Sequence, residues 1–184
     1  MGTIFRFSGL VELLVELAPS LHGDSKIKFF ILGDGEDFNR LQHLTKTLGL
    51  QEQVIMPGRI EYDLLSDYLR LGHVGLLPFK QELVTHGALP GKVLQYLACG
   101  LPTIATPLDG LMSMTQANNG VFYSSSPHQL SVDAIQLVSE PKTHEAMKNS
   151  RLNLIRTKGD WEQQIIQFEN VVTTPSKDIN KGTE

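Results

Sequence analysis

The segment Pro90-Gly91-Lys92-Val93-Leu94-Gln95-Tyr96-Leu97-Ala98-Cys99-Gly100-Leu101-Pro102-Thr103-Ile104-Ala105 reads as a helix that stops and hands over to a strand. Pro90 suits the first helical position. Gly100 is a stop signal, and residues 103–105 form a short apolar run. Val93, Leu94, Leu97 and Ala98 fall on one side of the helix and should face a sheet. Lys92, Gln95, Tyr96 and Cys99 fall on the other.

The same alternation extends in both directions. Further strand-like runs lie at residues 3–7, 27–32, 54–56, 74–78 and 121–123. Amphipathic stretches lie at 10–21, 37–48, 62–71 and 127–137. Runs such as Phe29-Phe30-Ile31-Leu32 and Val74-Gly75-Leu76-Leu77 are apolar on both faces, as in parallel strands covered by helices. The fold class expected is therefore α/β, a Rossmann-like doubly wound parallel sheet with helices on both faces. Beyond residue 138 only helical patterns remain, at 140–155 and from Asp160 onward. A polar tail, 173–184, is expected to be disordered.

The 184 residues suit one domain. With 16 Lys and Arg against 20 Asp and Glu, the net charge is −4, which argues against a nucleic-acid partner. The single cysteine, Cys99, makes no intrachain disulfide, and no Cys/His cluster has zinc spacing. That usage suits a reducing compartment. No apolar run is long enough to cross a bilayer, and the first residues lack the features of a signal peptide. A chain opening directly on a strand reads as part of something larger.

Ligands of open α/β sheets bind outside the carboxyl ends of the strands. Three turns there carry suggestive residues. Gly33 and Gly35, in Leu32-Gly33-Asp34-Gly35-Glu36, would let a ligand approach the backbone. The plain alternative is a tight turn with Asp34 capping the next helix. Gly58, Arg59 and Ile60 form the second turn, where Arg59 could stack on a base, pair with a phosphate or simply face water.

The third turn, Thr85-His86-Gly87-Ala88-Leu89-Pro90-Gly91-Lys92-Val93, opens the helix quoted above. Lys92 in a first turn is disfavoured by the helix dipole, by roughly 0.3–1 kcal/mol, unless an anion shares the site. The amides of Gly91, Lys92 and Val93 would bind the same anion. His86 could act as acid, base or hydrogen-bond donor. His22, His43, His73, His128 and His144 show no partner pattern.

Residues 90–105 resemble the carboxyl-domain signature of GT-B glycosyltransferases, in particular family 4, the glycosyl transferases group 1. Phe30-Ile31-Leu32-Gly33-Asp34-Gly35, Leu48-Gly49-Leu50, Val54-Ile55-Met56-Pro57-Gly58, Val74-Gly75-Leu76-Leu77-Pro78-Phe79, Asn119-Gly120-Val121 and Asp160-Trp161-Glu162 follow in that family's order. The resemblance covers about residues 2–172. It implies a nucleotide-sugar-binding domain over 1–172, closed by a crossing helix at 160–172. It also implies an absent amino-terminal acceptor domain and transfer of a hexose from an NDP-sugar.

No cofactor or metal is expected, because helix amides and basic side chains neutralise the diphosphate. By the resemblance, Gly33, Gly35, His86, Gly87, Gly91, Lys92 and Val93 would hold the donor's phosphates and sugar. Gly58, Arg59, Ile60 and Gln95 would hold ribose and base. The chain alone should be inactive. The location implied is cytoplasmic, with membrane contact at the inner face only through the absent domain, if at all.

Two departures from the family pattern stand out. A pair of glutamates eight positions apart is replaced by Gly87 and Gln95, and an Arg/Lys phosphate pair by Thr3 and Ser8, with Arg6 nearby. A degenerate, non-catalytic sugar-nucleotide or protein-binding module is therefore an alternative. A dinucleotide-dependent oxidoreductase is another, opposed by the incomplete glycine fingerprint.

Overall fold

A computed structural model describes residues 2–115 and 120–139. The helices expected at 140–155 and 160–172, and the tail at 173–184, lie outside the described residues. Among the described residues five strands form: β1 (Phe29–Leu32), β2 (Val54–Gly58), β3 (Gly75–Leu77), β4 (Thr103–Ala105) and β5 (Val121–Tyr123). Seven helices accompany them: α1 (Leu10–Gly23), α2 (Phe38–Thr47), α3 (Leu65–Arg70), α4 (Leu83–His86), α5 (Gly91–Ala98), α6 (Asp109–Met114) and α7 (Pro127–Ser139).

Every strand pairing is parallel, as expected of strands joined through helices. The strands form two sheets rather than one, in the orders β1-β2 and β3-β4-β5. The reason lies at the amino end. Residues 3–7, expected to be a strand, are instead an extended piece followed by a 3-10 turn at Arg6–Ser8. This piece makes backbone bonds past the carboxyl ends of β1 and β3 rather than along them. The Gly2 amide donates to the Leu32 carbonyl (2.8 Å) and the Ile4 amide to the Asp34 carbonyl (2.9 Å). The Lys80 amide donates to the Phe7 carbonyl (2.8 Å).

Helices cover both faces. On one side α1 presents Leu13, Leu14, Leu17 and Leu21 to Phe29, Ile31, Val54 and Ile104. Leu130, Ala134 and Leu137 of α7 close the same cluster beside α1. On the other side α5 places Val93 and Leu97 against Leu77, Ala105, Leu108, Leu111 and Val121. Strand side chains alternate between the faces: Ile104 joins the first cluster and Ala105 the second. Helices α4 and α6 were not expected. Each is only a few residues long, too short for a helical repeat to show in sequence.

An ion pair ties α1 to the chain leaving β3: Lys80 Nζ lies 2.8 Å from Glu12 Oε1. Partial burial pushes the Glu12 carboxyl up, but the Lys80 bond, Glu12's own backbone amide and the charges of Lys80 and Arg40 outweigh it. The net shift is downward. A carboxyl with a lowered folded value stabilises above its unfolded value, and that contribution is lost as pH falls through the folded value. Both side chains are more than a third exposed, so the effect is small, about 0.5 kcal/mol. Glu12→Gln should flatten the acid limb of the stability–pH curve below pH 4.5 by that amount, read by urea unfolding, and leave the alkaline limb unchanged.

Candidate functional site

The candidate residues gather at the carboxyl ends of β1, β2 and β3, in two groups. In the first, the Gly33 amide donates to the Gly58 carbonyl (2.8 Å), which joins the turns after β1 and β2. The glycines of this group serve packing. A Cβ on Gly33 would lie 1.9 Å from the Gly2 carbonyl oxygen, and one on Gly35 would lie 2.4 Å from that of Ile4. The room they leave is filled by the chain's own amino-terminal segment. The Gly35 amide is held by the Asp34 carboxylate (2.7 Å), so Asp34 closes the tight turn, but it does not cap α2, whose N-cap is Asp37. Arg59 is exposed, while Ile60 packs against Leu32, Leu69, Tyr96 and Leu101.

The second group lies at the head of α5. The helix begins at Gly91, with Pro90 as its N-cap rather than its first residue. The Val93 amide already donates to the Pro90 carbonyl (3.0 Å), and the Val93 side chain is fully buried. Of the three amides expected to bind an anion, those of Gly91 and Lys92 remain at the helix head. Nothing lies within 4 Å of a Cβ built on Gly87 or Gly91, so both face open space.

The Lys92 stem turns in against the amino-terminal segment. Its Cε would be 3.2 Å from a Cβ on Gly2, and its Nζ lies 5.2 Å from the centre of the Phe79 ring. Burial lowers its pKa, and no carboxylate pairs with it among the described ion pairs. An ammonium that is partly desolvated and not neutralised favours an anion nearby.

Two assignments on α5 are corrected. Tyr96, expected on the polar side, is buried with its ring over Gly75, where a Cβ would lie 2.6 Å from the ring. Ala98, expected in the apolar stripe, is exposed. Gly75 leaves space that only a large flat side chain fills, which outweighs the polar hydroxyl. Burial raises the Tyr96 hydroxyl pKa well above its usual range. Gln95 is half-buried.

Asp109, which the sequence did not single out, lies at the start of α6 with its Oδ2 3.1 Å from His86 Nδ1. That pairing selects the tautomer with Nδ1 protonated and leaves Nε2 free to accept or exchange a proton. A Cβ on Gly110 would lie 2.4 Å from the Gly87 carbonyl oxygen, so α6 packs directly under the loop before α5. The signal that could have found Asp109 is Pro107-Leu108-Asp109-Gly110, a turn with a capping residue before an apolar run.

Neither place expected to carry a basic phosphate ligand does so. Ser8 is buried and accepts a bond from the Phe5 amide, and Thr3 is exposed. Arg6 is exposed, and its amide donates to Glu36 (2.7 Å). Among the described residues, no group of three or more His, Cys, Asp or Glu side chains could hold a metal ion, and no helix is long and apolar enough to cross a membrane.

A Rossmann-like layout with an anion-ready helix head is shared by many proteins, and comparison narrows it. A crystal structure described as the C-terminal domain of a group 1 glycosyl transferase from Francisella tularensis superposes with a TM-score of 0.71. It is 20% identical and covers 88% of this chain and 84% of that one. An Anabaena protein solved with UDP superposes at 0.68, with 16% identity over 93% of this chain and 48% of that one. The N-acetyl-alpha-D-glucosaminyl L-malate synthase of Bacillus anthracis is 23% identical over 180 residues, 97% of this chain and 45% of that protein. An uncharacterised glycosyltransferase of Methanocaldococcus jannaschii is 19% identical over 93% of this chain and 43% of that protein. The chain therefore spans less than half the length of these curated relatives. The family model for glycosyl transferases group 1 matches residues 8–152, which include both groups of candidate residues from Gly33 to Asp109, and the chain belongs to that family.

Proposed function

We propose that this chain is the donor-binding half of a glycosyltransferase that moves a hexose from an NDP-sugar to an acceptor held by a second domain. The observation that carries the reading is the head of α5, where the amides of Gly91 and Lys92 share a turn with Lys92, whose half-buried ammonium meets no carboxylate among the described ion pairs. A diphosphate is the natural complement: it takes the helix-terminal amides and the ammonium together. The UDP bound to the Anabaena relative supports a nucleoside diphosphate as the ligand.

The sugar would face His86 and the open space above Gly87, where His86 Nε2 is oriented by Asp109. Gln95, one turn along the helix from Lys92, is assigned to a ribose hydroxyl. Arg59, Gly58 and Ile60 are assigned to the base side, with Gly33 and Gly35 shaping the turn between them. Half of such an active site is contributed by the acceptor domain, so this chain alone should transfer no sugar.

Lys92→Ala is expected to weaken UDP, GDP, ADP or dTDP binding by roughly tenfold or more, the range for losing a charge-assisted hydrogen bond. Binding of the corresponding nucleoside should be unchanged. Calorimetric titration of both ligands against both proteins reads this directly, and an equal loss for nucleoside and diphosphate would remove Lys92 from phosphate binding.

A second reading rests on Gly87, which offers open space where the resembled pattern carries a glutamate. It describes a non-catalytic sugar-nucleotide or protein-binding module. A two-domain protein that binds an NDP-sugar but turns over none would support that reading against transfer.

A further inference from the structure

Lys92 and Phe79 stand where the chain leaving β3 meets the head of α5. Lys92 is the second residue of that helix, and a helical side chain leans back toward the amino end. Its stem therefore passes the helix head, and Nζ comes to rest over the face of the Phe79 ring, 5.2 Å from the ring centre. That is within the roughly 6 Å over which the negative face of an aromatic ring attracts an ammonium.

The ring is itself held in place. Just before it, the Leu77 carbonyl accepts from the Thr106 amide (3.0 Å), and just after it the Lys80 amide donates to the Phe7 carbonyl (2.8 Å). Phe7 meets Phe79 edge to face, with ring centres 5.5 Å apart and planes at 81°. Phe5 stacks on Phe7 in turn, at 4.9 Å and 18°. Phe79 also packs on the cluster that holds Leu77, Val93 and Leu97. Pinned backbone on both sides, an aromatic neighbour and the inner side of α5 together fix the plane of the ring, and with it the place where the Lys92 ammonium rests.

The kind of partner matters. A carboxylate beside Lys92 would hold it but cancel its charge, and no acidic residue stands in the first turn of α5. A ring face holds the ammonium through its quadrupole and leaves the net charge whole. The ammonium has three N–H groups and the ring takes one side, so others stay open to phosphate oxygens. A lysine stem left free in water has many rotamers, and their loss would fall on the binding step. Here that loss has been met before the ligand arrives.

We propose that Phe79 is a positioning residue for donor binding: its ring face keeps Lys92 in place at the head of α5, and Phe7 sets the tilt of that ring. The proposal rests on Lys92 as a ligand of the diphosphate and goes beyond it, since Phe79 acts only through Lys92.

The test replaces Phe79 in the 184-residue chain by trifluorophenylalanine and by pentafluorophenylalanine. Both keep a flat ring of nearly the same size while weakening and then reversing the charge of its face. Each is made with Lys92 and with Lys92→Met, and thermal melts check the fold. UDP, GDP, ADP and dTDP, each beside its nucleoside, are titrated calorimetrically. With Lys92 present, diphosphate affinity is expected to fall stepwise along the series, by roughly two- to fivefold in all, while nucleoside binding stays level. With Lys92→Met the series should be flat, because the ring then has no charge to hold. Phe79→Tyr, which keeps the ring face, should retain the affinity that Phe79→Leu loses, and this pair carries the comparison if a fluorinated chain does not fold. In the ligand-free protein the Lys92 ε-methylene protons should resonate upfield, shifted by the ring, and return to the ordinary lysine position in Phe79→Leu. An unshifted ε-methylene overturns the proposal. So does a fall of equal size with Lys92 and with Lys92→Met, which makes Phe79 a structural neighbour only, or a flat series while Lys92→Met weakens diphosphate binding. If none of the four diphosphates binds, or Lys92→Met leaves their binding unchanged, the phosphate role of Lys92 fails and this proposal with it.

Discussion

Truncating Leu97 to alanine is expected to lower the unfolding free energy by about 3 kcal/mol. Leu97 has no exposed surface. It stands in the cluster formed by Leu77, Val93, Ala105, Leu108, Leu111 and Val121, so the hole it leaves is walled by β3, β4, β5 and the segment entering α6. These walls are strands bonded in register, which cannot collapse into the space. The full transfer and cavity costs should therefore appear. Leu97→Met, which nearly conserves volume, should cost less than about 1.5 kcal/mol. Urea unfolding of the two variants is the measurement. A loss below 1 kcal/mol for the alanine variant would show that α5 is not held by this contact. The functional corollary follows from position: α5 carries Lys92 at its head, so loosening its inner side should weaken diphosphate binding as well.

The second large effect is expected at Gly9, where Ala should cost about 3 kcal/mol or more. Gly9 ends the 3-10 turn with φ +65° and starts α1. The left-handed conformation alone costs a non-glycine residue about 1–2 kcal/mol. A Cβ there would also lie 1.8 Å from the Pro78 carbonyl oxygen. That neighbour is backbone following β3, so it has no rotamer with which to give way. Asparagine, which tolerates the backbone angle, should not rescue the variant, because the overlap remains. Gly23, at the far end of the same helix, makes the control: nothing lies within 4 Å of its Cβ position, and Gly23→Ala should be neutral or slightly stabilising. Thermal melts of the three variants should therefore differ in sign as well as size.

The parts of the fold legible in the sequence were those whose neighbours are implied by periodicity. The apolar run at Thr103–Ala105 needs cover on both faces and has it, and in Phe29–Leu32 the side chains of Phe29, Ile31 and Leu32 are buried while Phe30 is exposed. Residues 3–7 carry strand-like residues too, yet a strand exists only where its edge finds partners. This piece finds them only past the ends of β1 and β3, a fact no local pattern contains. Tyr96 was misplaced for a related reason. Its hydroxyl suggested the polar side, but the missing Cβ of Gly75, twenty-one residues earlier, is what makes room for the ring. At the site, the sequence located Lys92 in the first turn of a helix. It could not say where a four-carbon stem would lead, nor that Asp109 would stand beside His86. The glycines at 33 and 35 were visible as necessary, and what they make room for is the chain itself.

The pairing of α1 with α7 also bears on how the protein comes into being. His128 of α7 reaches Glu16 of α1 across 112 positions of chain (2.9 Å). The apolar side of α1, with Leu13, Leu14, Leu17 and Leu21, leaves the ribosome long before the helix that shields it. At ordinary elongation speeds that interval is on the order of ten seconds. Throughout it, only the part of that surface which meets β1 and β2 can be buried, and the part that α7 covers stays open, so the nascent chain shows more apolar surface than the finished fold.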